Sequence, residues 1–245
     1  MTATDDSIDL SLVLPVYNEE QCIEATIEEA YRVLRDLPYQ FEIIAVDDGS
    51  GDGTSALLQY LCQRIHQLRV LTLKPNSGQS AAFGVAFRHS RGRVIVTMDS
   101  DGQNDPADIP KLLEGLENHD VCCGYRVNRK DPWTKTIGGK LANKVRASIL
   151  KDGIIDTGCS LKAFKADLVR NLQILEVLQG MHRFLPNLAK MKGASVSQIP
   201  VNHRPRLAGQ SKYTNLKRLS QTIWDLWAVR WMQKRYRRFD VEVKK

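Results

Sequence analysis

VIVTMDSDGQNDP, residues 94–106, is the stretch on which the reading of the fold turns. Val94, Ile95, Val96 and Met98 form an apolar run that passes directly into Asp99 and Asp101, with Gln103 two residues on and Pro106 closing the turn. A run this short, stopped by Gly102 and Pro106, reads as a buried strand rather than a helix. A buried strand that ends in clustered carboxylates needs a physical reason, and the flanking segments supply one.

Outward from this stretch, LSLVLPV (strand core 11–16), FEIIAVDD (41–48), RVLTL (69–73) and DVCCGY (120–125) have the same strand character. Between them EEQCIEATIEEAYRVLRDL, GTSALLQYLCQRIHQ, SGQSAAFGVAFRHSRG and PADIPKLLEGLEN are long and periodic enough for amphipathic helices. Strand and helix in repeated alternation predict an α/β fold, a mostly parallel sheet flanked by helices. Ligands of such sheets bind beyond the carboxyl ends of the strands. The polar residues that follow strands are Tyr17, Asn18 and Glu19; Asp47 and Asp48 with GSGDGT; Asp99, Asp101 and Gln103; and Arg126.

A chain of 245 residues, 42% hydrophobic and 26% charged, is sized for one large domain and excludes wholesale disorder or a disulfide-stapled scaffold. Its five cysteines form no CxxC or Cys/His ligand spacing, which predicts reduced, mostly buried thiols and a cytosolic setting. MTATDDSIDL has no signal-peptide pattern, and no run approaches the roughly 18 apolar residues of a membrane span. The net charge of +7 is concentrated toward the tail from KRLSQTIWDLWAVRWMQKRYRRF onward, which could meet nucleic acid, an anionic membrane face or an acidic partner.

Carboxylates converging on one sheet edge repel unless a cation neutralises them. Asp99 and Asp101, two apart in a turn, can present oxygens to one hard divalent ion, and Gln103 can add a carbonyl oxygen or hold a water; such an oxygen set suits Mg²⁺ or Mn²⁺ beside substrate phosphates. Taken singly, each motif has a plainer explanation: an Asp after a strand also makes Asx-turns and N-caps, and DDGSGDGT also reads as a turn with glycine at positive φ. It is their ordered joint occurrence that points to a site.

Taken together, LPVYNEE, VDDGSGDGT, MDSDGQNDP, GYR and RLAGQSKY resemble the glycosyltransferase family 2 enzymes of the GT-A (Rossmann-like) fold, and among them the polyprenyl-phosphate sugar synthases of the dolichol-phosphate mannosyltransferase type. The resemblance covers about residues 9–215. It implies a nucleotide pocket lined by Pro15, Tyr17 and Glu19, with Val46 and Asp48 at the base and ribose. It also implies Asp99, Ser100 and Asp101 at the ribose and diphosphate, and Asp99, Asp101 and Gln103 on the metal. Arg126, Arg206 and Lys212 match the basic residues that such enzymes direct at phosphates. Ser100 departs from the alanine usual in the dolichol enzymes.

The chemistry these residues suit is departure of a nucleoside diphosphate, aided by a Lewis-acid metal at Asp99 and Asp101 and by cationic side chains where charge develops. A lipid monophosphate acceptor is already anionic near neutral pH and needs no strong general base. The resemblance implies an inverting displacement from a GDP- or UDP-linked hexose onto a dolichyl- or undecaprenyl-type phosphate. Asp156 and Thr157 in IDTGCSLKAFK lie either near the reaction centre or in a turn before a core strand. His182, Arg183, His203 and Arg204 are candidates for the site rim, or ordinary packed and surface residues.

These features divide the chain into a catalytic domain, 1–212, and a basic amphipathic helical tail, 213–245. Leu216, Leu219, Ile223, Trp224, Leu226, Trp227 and Trp231 are expected on one broad helical face that ends in QKRYRRF. Tryptophan with Lys/Arg suits an anionic membrane interface; the other reading packs this helix on the catalytic domain or on a partner, whether a membrane subunit or a second copy. Many relatives carry transmembrane helices after this point, which this chain lacks, so peripheral attachment at the cytoplasmic face is expected. WTKTIGGKLANKVRASILKDG (133–153) reads either as an acceptor-side flap or as a connecting helix.

Three rival functions are separable. A polysaccharide, lipopolysaccharide or other non-polyprenyl acceptor fits the same fold, but the QxxRW of processive synthases is lacking, the nearest segment being WAVRW at 227–231. A nucleotidyltransferase would carry a Gly-rich basic amino-terminal loop, which is missing here. No helix-turn-helix or RNP-like motif supports a nucleic-acid partner.

Overall fold

In this computed structural model, which describes residues 7–127, 143–205 and 215–237 (side chains from 223 onward in the last span), the alternation read from the sequence forms one seven-stranded sheet. The strands are β1 Leu10–Val16, β2 Phe41–Asp47, β3 Leu68–Thr72, β4 Val94–Thr97, β5 Val121–Arg126, β6 Lys162–Lys165 and β7 Val196–Val201, in the order β3-β2-β1-β4-β6-β5-β7. The helices are α1 Ile23–Arg35, α2 Thr54–Arg64, α3 Gln79–His89, α4 Ile109–Leu116, α5 143–150, α6 Ala166–Val169, α7 Ile174–Val177, α8 Leu185–Met191 and α9 Asn215–Arg235.

Period-two patterning sorts the strand side chains into two cores. Leu12, Leu14, Ile43, Ala45 and Val96 face α1, α2 and α4, whereas Val13, Ile44, Val46 and Ile95 face α3, α8 and α9. On α1, Ile23, Ile27, Ala30 and Leu34 recur at helical spacing and are fully buried, the reason this segment folds against the sheet. Each buried isoleucine or leucine of this set contributes about 1.5–3 kcal/mol by leaving water.

Two strands differ from the sequence expectation. β6, only KAFK, runs antiparallel between β4 and β5, so the mostly parallel sheet is mixed at this end. Its lysines mask the apolar signal of Ala163 and Phe164. β7, VSQIPV, lacks an apolar run and pairs with β5 alone at the sheet edge, where Pro200 is tolerated.

The site is positioned where strand order reverses, between β1 and β4. Their ladder ends with Val13 paired to Thr97 and the Met98 amide donating to the Val13 carbonyl. Pro15 turns the same edge toward β4 but has no N–H for the next rung, so the two strands part there. Its carbonyl instead accepts from Ser100 Oγ at 2.8 Å.

The C-terminal helix lies on the α3/α8 side. Leu226 and Val229 are buried in that core with Met232 packed against it, while Trp224, Trp227 and Trp231 are 76%, 56% and 63% exposed. The expected single apolar face is therefore split: Leu226 points inward with Val229, and the three tryptophans occupy the opposite side. Leu216 and Leu219 lie outside the described side chains. Residues 143–150 pack as a connecting helix, with Leu150 buried and Arg146 clamped to Asp152 and the Ile154 carbonyl; residues 133–142 lie outside the described set. No helix among the described residues is long and apolar enough to cross a membrane.

Candidate active site

Beyond β1 and β2 the two loops are stitched together by reciprocal hydrogen bonds. The Asn18 amide donates to Ser50 Oγ at 2.9 Å and the Gly51 amide to Asn18 Oδ1 at 2.7 Å. The Glu19 amide donates to Thr54 Oγ1 at 2.8 Å and the Gly53 amide to Glu20 Oε2 at 2.7 Å. LPVYNEE and DDGSGDGT thus form one rigid wall, with Tyr17 exposed above it.

Asp48 holds the wall to α3. Its carboxylate accepts from the Ser77 amide (2.7 Å), the Gly78 amide (2.8 Å) and Asn76 Nδ2 (2.9 Å). Burial pushes this carboxyl up, against the pull of those amides. Gly49, at φ +72°, lets the chain pass, because a Cβ there would lie 3.1 Å from the Asn76 nitrogen. Val46, expected at the nucleotide base, is fully buried in the α3-side core. Its side chain serves that core and does not reach the cleft.

The 99–106 turn divides its carboxylates between structure and site. Asp105 caps the turn that starts at Pro106 by accepting from the Ala107 amide at 3.0 Å. Arg204 grips Asp105 (2.6 Å) and Glu29 (2.8 Å), and the Arg204 amide donates to the Gln103 carbonyl at 3.0 Å. His203 and Arg204, read from sequence as rim candidates, therefore buttress the loop from behind. Gln103 Nε2 lies 3.5 Å from His203 Nε2 and 3.4 Å from the Arg204 carbonyl, which directs its amide nitrogen to this buttress.

Asp99 is left lining the crevice, and Asp101, buried, lies close enough to it for their charges to interact. Asp99 accepts from Gln79 Nε2 at 2.8 Å, and Asp101 Oδ1 accepts from the Gln103 amide at 3.1 Å. Burial, and then the charge of Asp101, push the Asp99 carboxyl up to about 6, with Ser160, Lys162 and Arg126 opposing. Two mutually repelling carboxylates of this kind fit a hard divalent cation. Among the described residues no group of three or more His, Cys, Asp or Glu gathers to hold a metal, so such an ion would need further oxygens, from the Gln103 side chain, water or substrate.

Next to Asp99 opens a small cavity of about 80 Å³, continuous with solvent and lined by Gln79, Thr157, Ser160, Lys162, His182 and Arg183 among others. Lys162 enters from β6, is 3% exposed and is held by the Cys159 carbonyl. His182 Nδ1 lies 2.8 Å from Ser80 Oγ, in the first turn of α3 next to Gln79. Arg126 lies against Gly158 of this wall and is firmly held. Its Nε and Nη2 bind Asp156 at 2.7 and 3.0 Å, a near-buried bidentate pair. Although burial raises it, the Asp156 carboxyl is brought down to about 2 by Arg126.

Asp156 and Thr157 thus lie at the site, with His182 and Arg183 in the cavity wall; Arg206 and Lys212 lie outside the described residues. Sequence reasoning missed Gln79, Ser80, Ser160 and Lys162. Lys162 carried a signal, a charge inside a short apolar strand. Gln79 and Ser80 carried none, since polar residues at a helix start are ordinary.

A mixed sheet with a paired-carboxylate crevice at the reversal of strand order defines an α/β enzyme of the nucleotide-binding kind. Residues 11–172 match glycosyl transferase family 2, and the chain belongs to that family and is a glycosyltransferase. It is 36% identical, over 91% of its length and 67% of the relative's, to a dodecaprenyl-phosphate galacturonate synthase of Rhizobium johnstonii. It is 31% identical, over 89% of its length and 66% of the relative's, to an undecaprenyl-phosphate 4-deoxy-4-formamido-L-arabinose transferase of Edwardsiella ictaluri. The chain thus spans about two thirds of these curated relatives.

Solved structures share the fold at lower identity. A glucosyl-3-phosphoglycerate synthase from Mycobacterium tuberculosis in complex with Mn²⁺, UDP and glucosyl-3-phosphoglycerate superposes with TM-score 0.63 at 17% identity, covering 92% of this chain and 80% of that one. S. aureus TarS 1-349 with UDP-GlcNAc gives 0.62 at 19%, covering 92% and 67%.

Proposed function

We propose that this chain transfers a hexosyl group from a GDP- or UDP-linked donor to a polyprenyl phosphate, by metal-assisted inverting displacement at the cytoplasmic face of a membrane. The observation that carries the reading is the cationic cavity beside Asp99: Lys162 and Arg183 line it, and the Arg126–Asp156 pair lies against Gly158 of its wall, next to the candidate diphosphate platform. Both curated relatives are named for polyprenyl-phosphate acceptors.

Asp99 and Asp101 would hold Mg²⁺ or Mn²⁺, which when bound supplies Lewis-acid stabilisation of the departing diphosphate. Pro15, Tyr17, Glu19, Asp48 and Ser100 form the walls beside the donor, and Arg206 and Lys212 are assigned to phosphates by their motif. Lys162 and Arg183 offset the repulsion between two anionic reactants. A phosphate acceptor needs no proton removed, and Asp156, held ionised by Arg126, would be a poor base. His182 in the cavity wall would serve as the base for a hydroxyl acceptor, which is what favours the second reading, transfer to a lipopolysaccharide or other non-polyprenyl acceptor. The outward Trp224, Trp227 and Trp231, bordered by Arg230 and Lys234, suit an anionic bilayer interface.

The test is transfer of label from a panel of UDP- and GDP-sugars into organic-extractable product, with polyprenyl phosphate and Mg²⁺ or Mn²⁺. We expect a lipid product abolished by EDTA and reduced at least ~100-fold by Asp101→Ala. Metal-dependent nucleotide binding without lipid product from any donor would sink the polyprenyl acceptor and leave the second reading.

A further inference from the structure

The C-terminal helix packs against the turn that leads into the catalytic cavity, at Gly180. Gly180 adopts φ +82° at the head of the turn that carries His182 and Arg183, and the Asp225 carboxylate lies against its open face. A Cβ on Gly180 would stand 2.3 Å from Asp225 Oδ2 and 3.1 Å from Asp225 Cγ. Burial raises the Asp225 carboxyl and the charge of Arg183 opposes that rise, which places the guanidinium within electrostatic reach. The turn is held from the other side by α3: the His182 amide donates to Ser80 Oγ at 3.2 Å, and His182 Nδ1 shares the same hydroxyl. Ser80 follows Gln79, which donates to Asp99. A continuous line of contacts therefore runs from α9 through the 180–183 turn to the carboxylate that ends β4.

We propose that Asp225 is a positioning residue for the glycosyl-transfer site, its carboxylate seated on Gly180 so that the turn presents His182 and Arg183 beside Asp99. The assignment rests on the function proposed above but goes beyond it, because Asp225 belongs to the tail and lines no part of the cavity. Leu226 and Val229 hold the helix to the core; Asp225 sets the turn. The two contributions are separable by substitution.

The experiment is a double-mutant cycle on the full chain, reading kcat/KM for lipid product, nucleotide Kd and Tm. We expect Asp225→Ala and the near-isosteric Asp225→Asn to lower kcat/KM ~10-fold in the wild-type background and less than ~2-fold in an Arg183→Ala background, because the residues act as a unit. Nucleotide Kd and Tm should stay unchanged, whereas Leu226→Ala should lower Tm. Equal losses in both backgrounds, or a loss that follows Tm as in Leu226→Ala, would overturn the proposal. Amide exchange across 180–185 supplies the readout that needs no acceptor. Faster exchange confined to this turn in Asp225→Asn supports the assignment even if no lipid product forms, and unchanged exchange refutes it.

Discussion

Replacing Asp156 by Asn tests whether the Arg126 pair is a structural lock on the cleft. The carboxylate accepts both guanidinium contacts and the Gly158 amide (3.0 Å), with the Arg126 and Asp156 side chains 15% and 8% exposed. Held down at about 2 against the ordinary 3.8, the ionised Asp156 carboxyl is worth about 2–2.5 kcal/mol of stability near neutral pH. Because the folded-state pKa is depressed, this contribution is complete well above the unfolded value and is lost as pH falls through the folded value. Linkage leaves roughly half of it at about pH 3. Asp156→Asn should therefore lose about 2 kcal/mol at neutral pH in urea unfolding, or about 4–8 °C in Tm, and the gap to wild type should shrink by about 1 kcal/mol near pH 3. A gap that stays constant across this range would falsify the assignment of the stability to the ionised pair.

Two further outcomes follow from the fold. Glu42 is 1% exposed and accepts from Ser11 Oγ, the Arg91 amide and the Arg69 guanidinium at 2.6–2.7 Å, at the end of β2 remote from the crevice; Glu42→Gln should cost about 2–3 kcal/mol in denaturant titration while leaving nucleotide affinity unchanged. Gly49→Ala must place a Cβ at φ +72° within 3.3 Å of the Leu73 carbonyl oxygen, and calorimetry should show a loss of about 1–3 kcal/mol, with weaker nucleotide binding as the Asp48 loop shifts.

The parallel half of the fold was legible because its strands are apolar runs bounded by turn chemistry, a local signal. β7 was not, and of β6 only a strand after Asp156 and Thr157 was expected, without its antiparallel direction, since KAFK and VSQIPV owe their place in the sheet to the neighbours they pair with. The same division holds in the site. Asp99 and Asp101 stand out by their position at a strand end, and Asp156 by its motif, although the sequence left open whether it belongs to the site or to a turn. In the C-terminal helix, periodicity identified an amphipathic segment but assigned Leu226 and the tryptophans to one face. Docking by Leu226 and Val229 fixed the rotation and turned Trp224, Trp227 and Trp231 outward.

By itself, then, the amino-acid sequence determined the α/β layering, the loops that gather at the strand ends, the paired carboxylates and the family. Each of these is carried by hydrophobic period, turn residues and short spacing, which act within a few residues. Only the tertiary structure decided that Lys162 and His182 reach the cavity, that Arg126 is locked to Asp156, that His203 and Arg204 brace the loop and that Asp225 rests on Gly180. These pairs are separated by tens of residues or more along the chain, and packing alone brings them within a few ångströms.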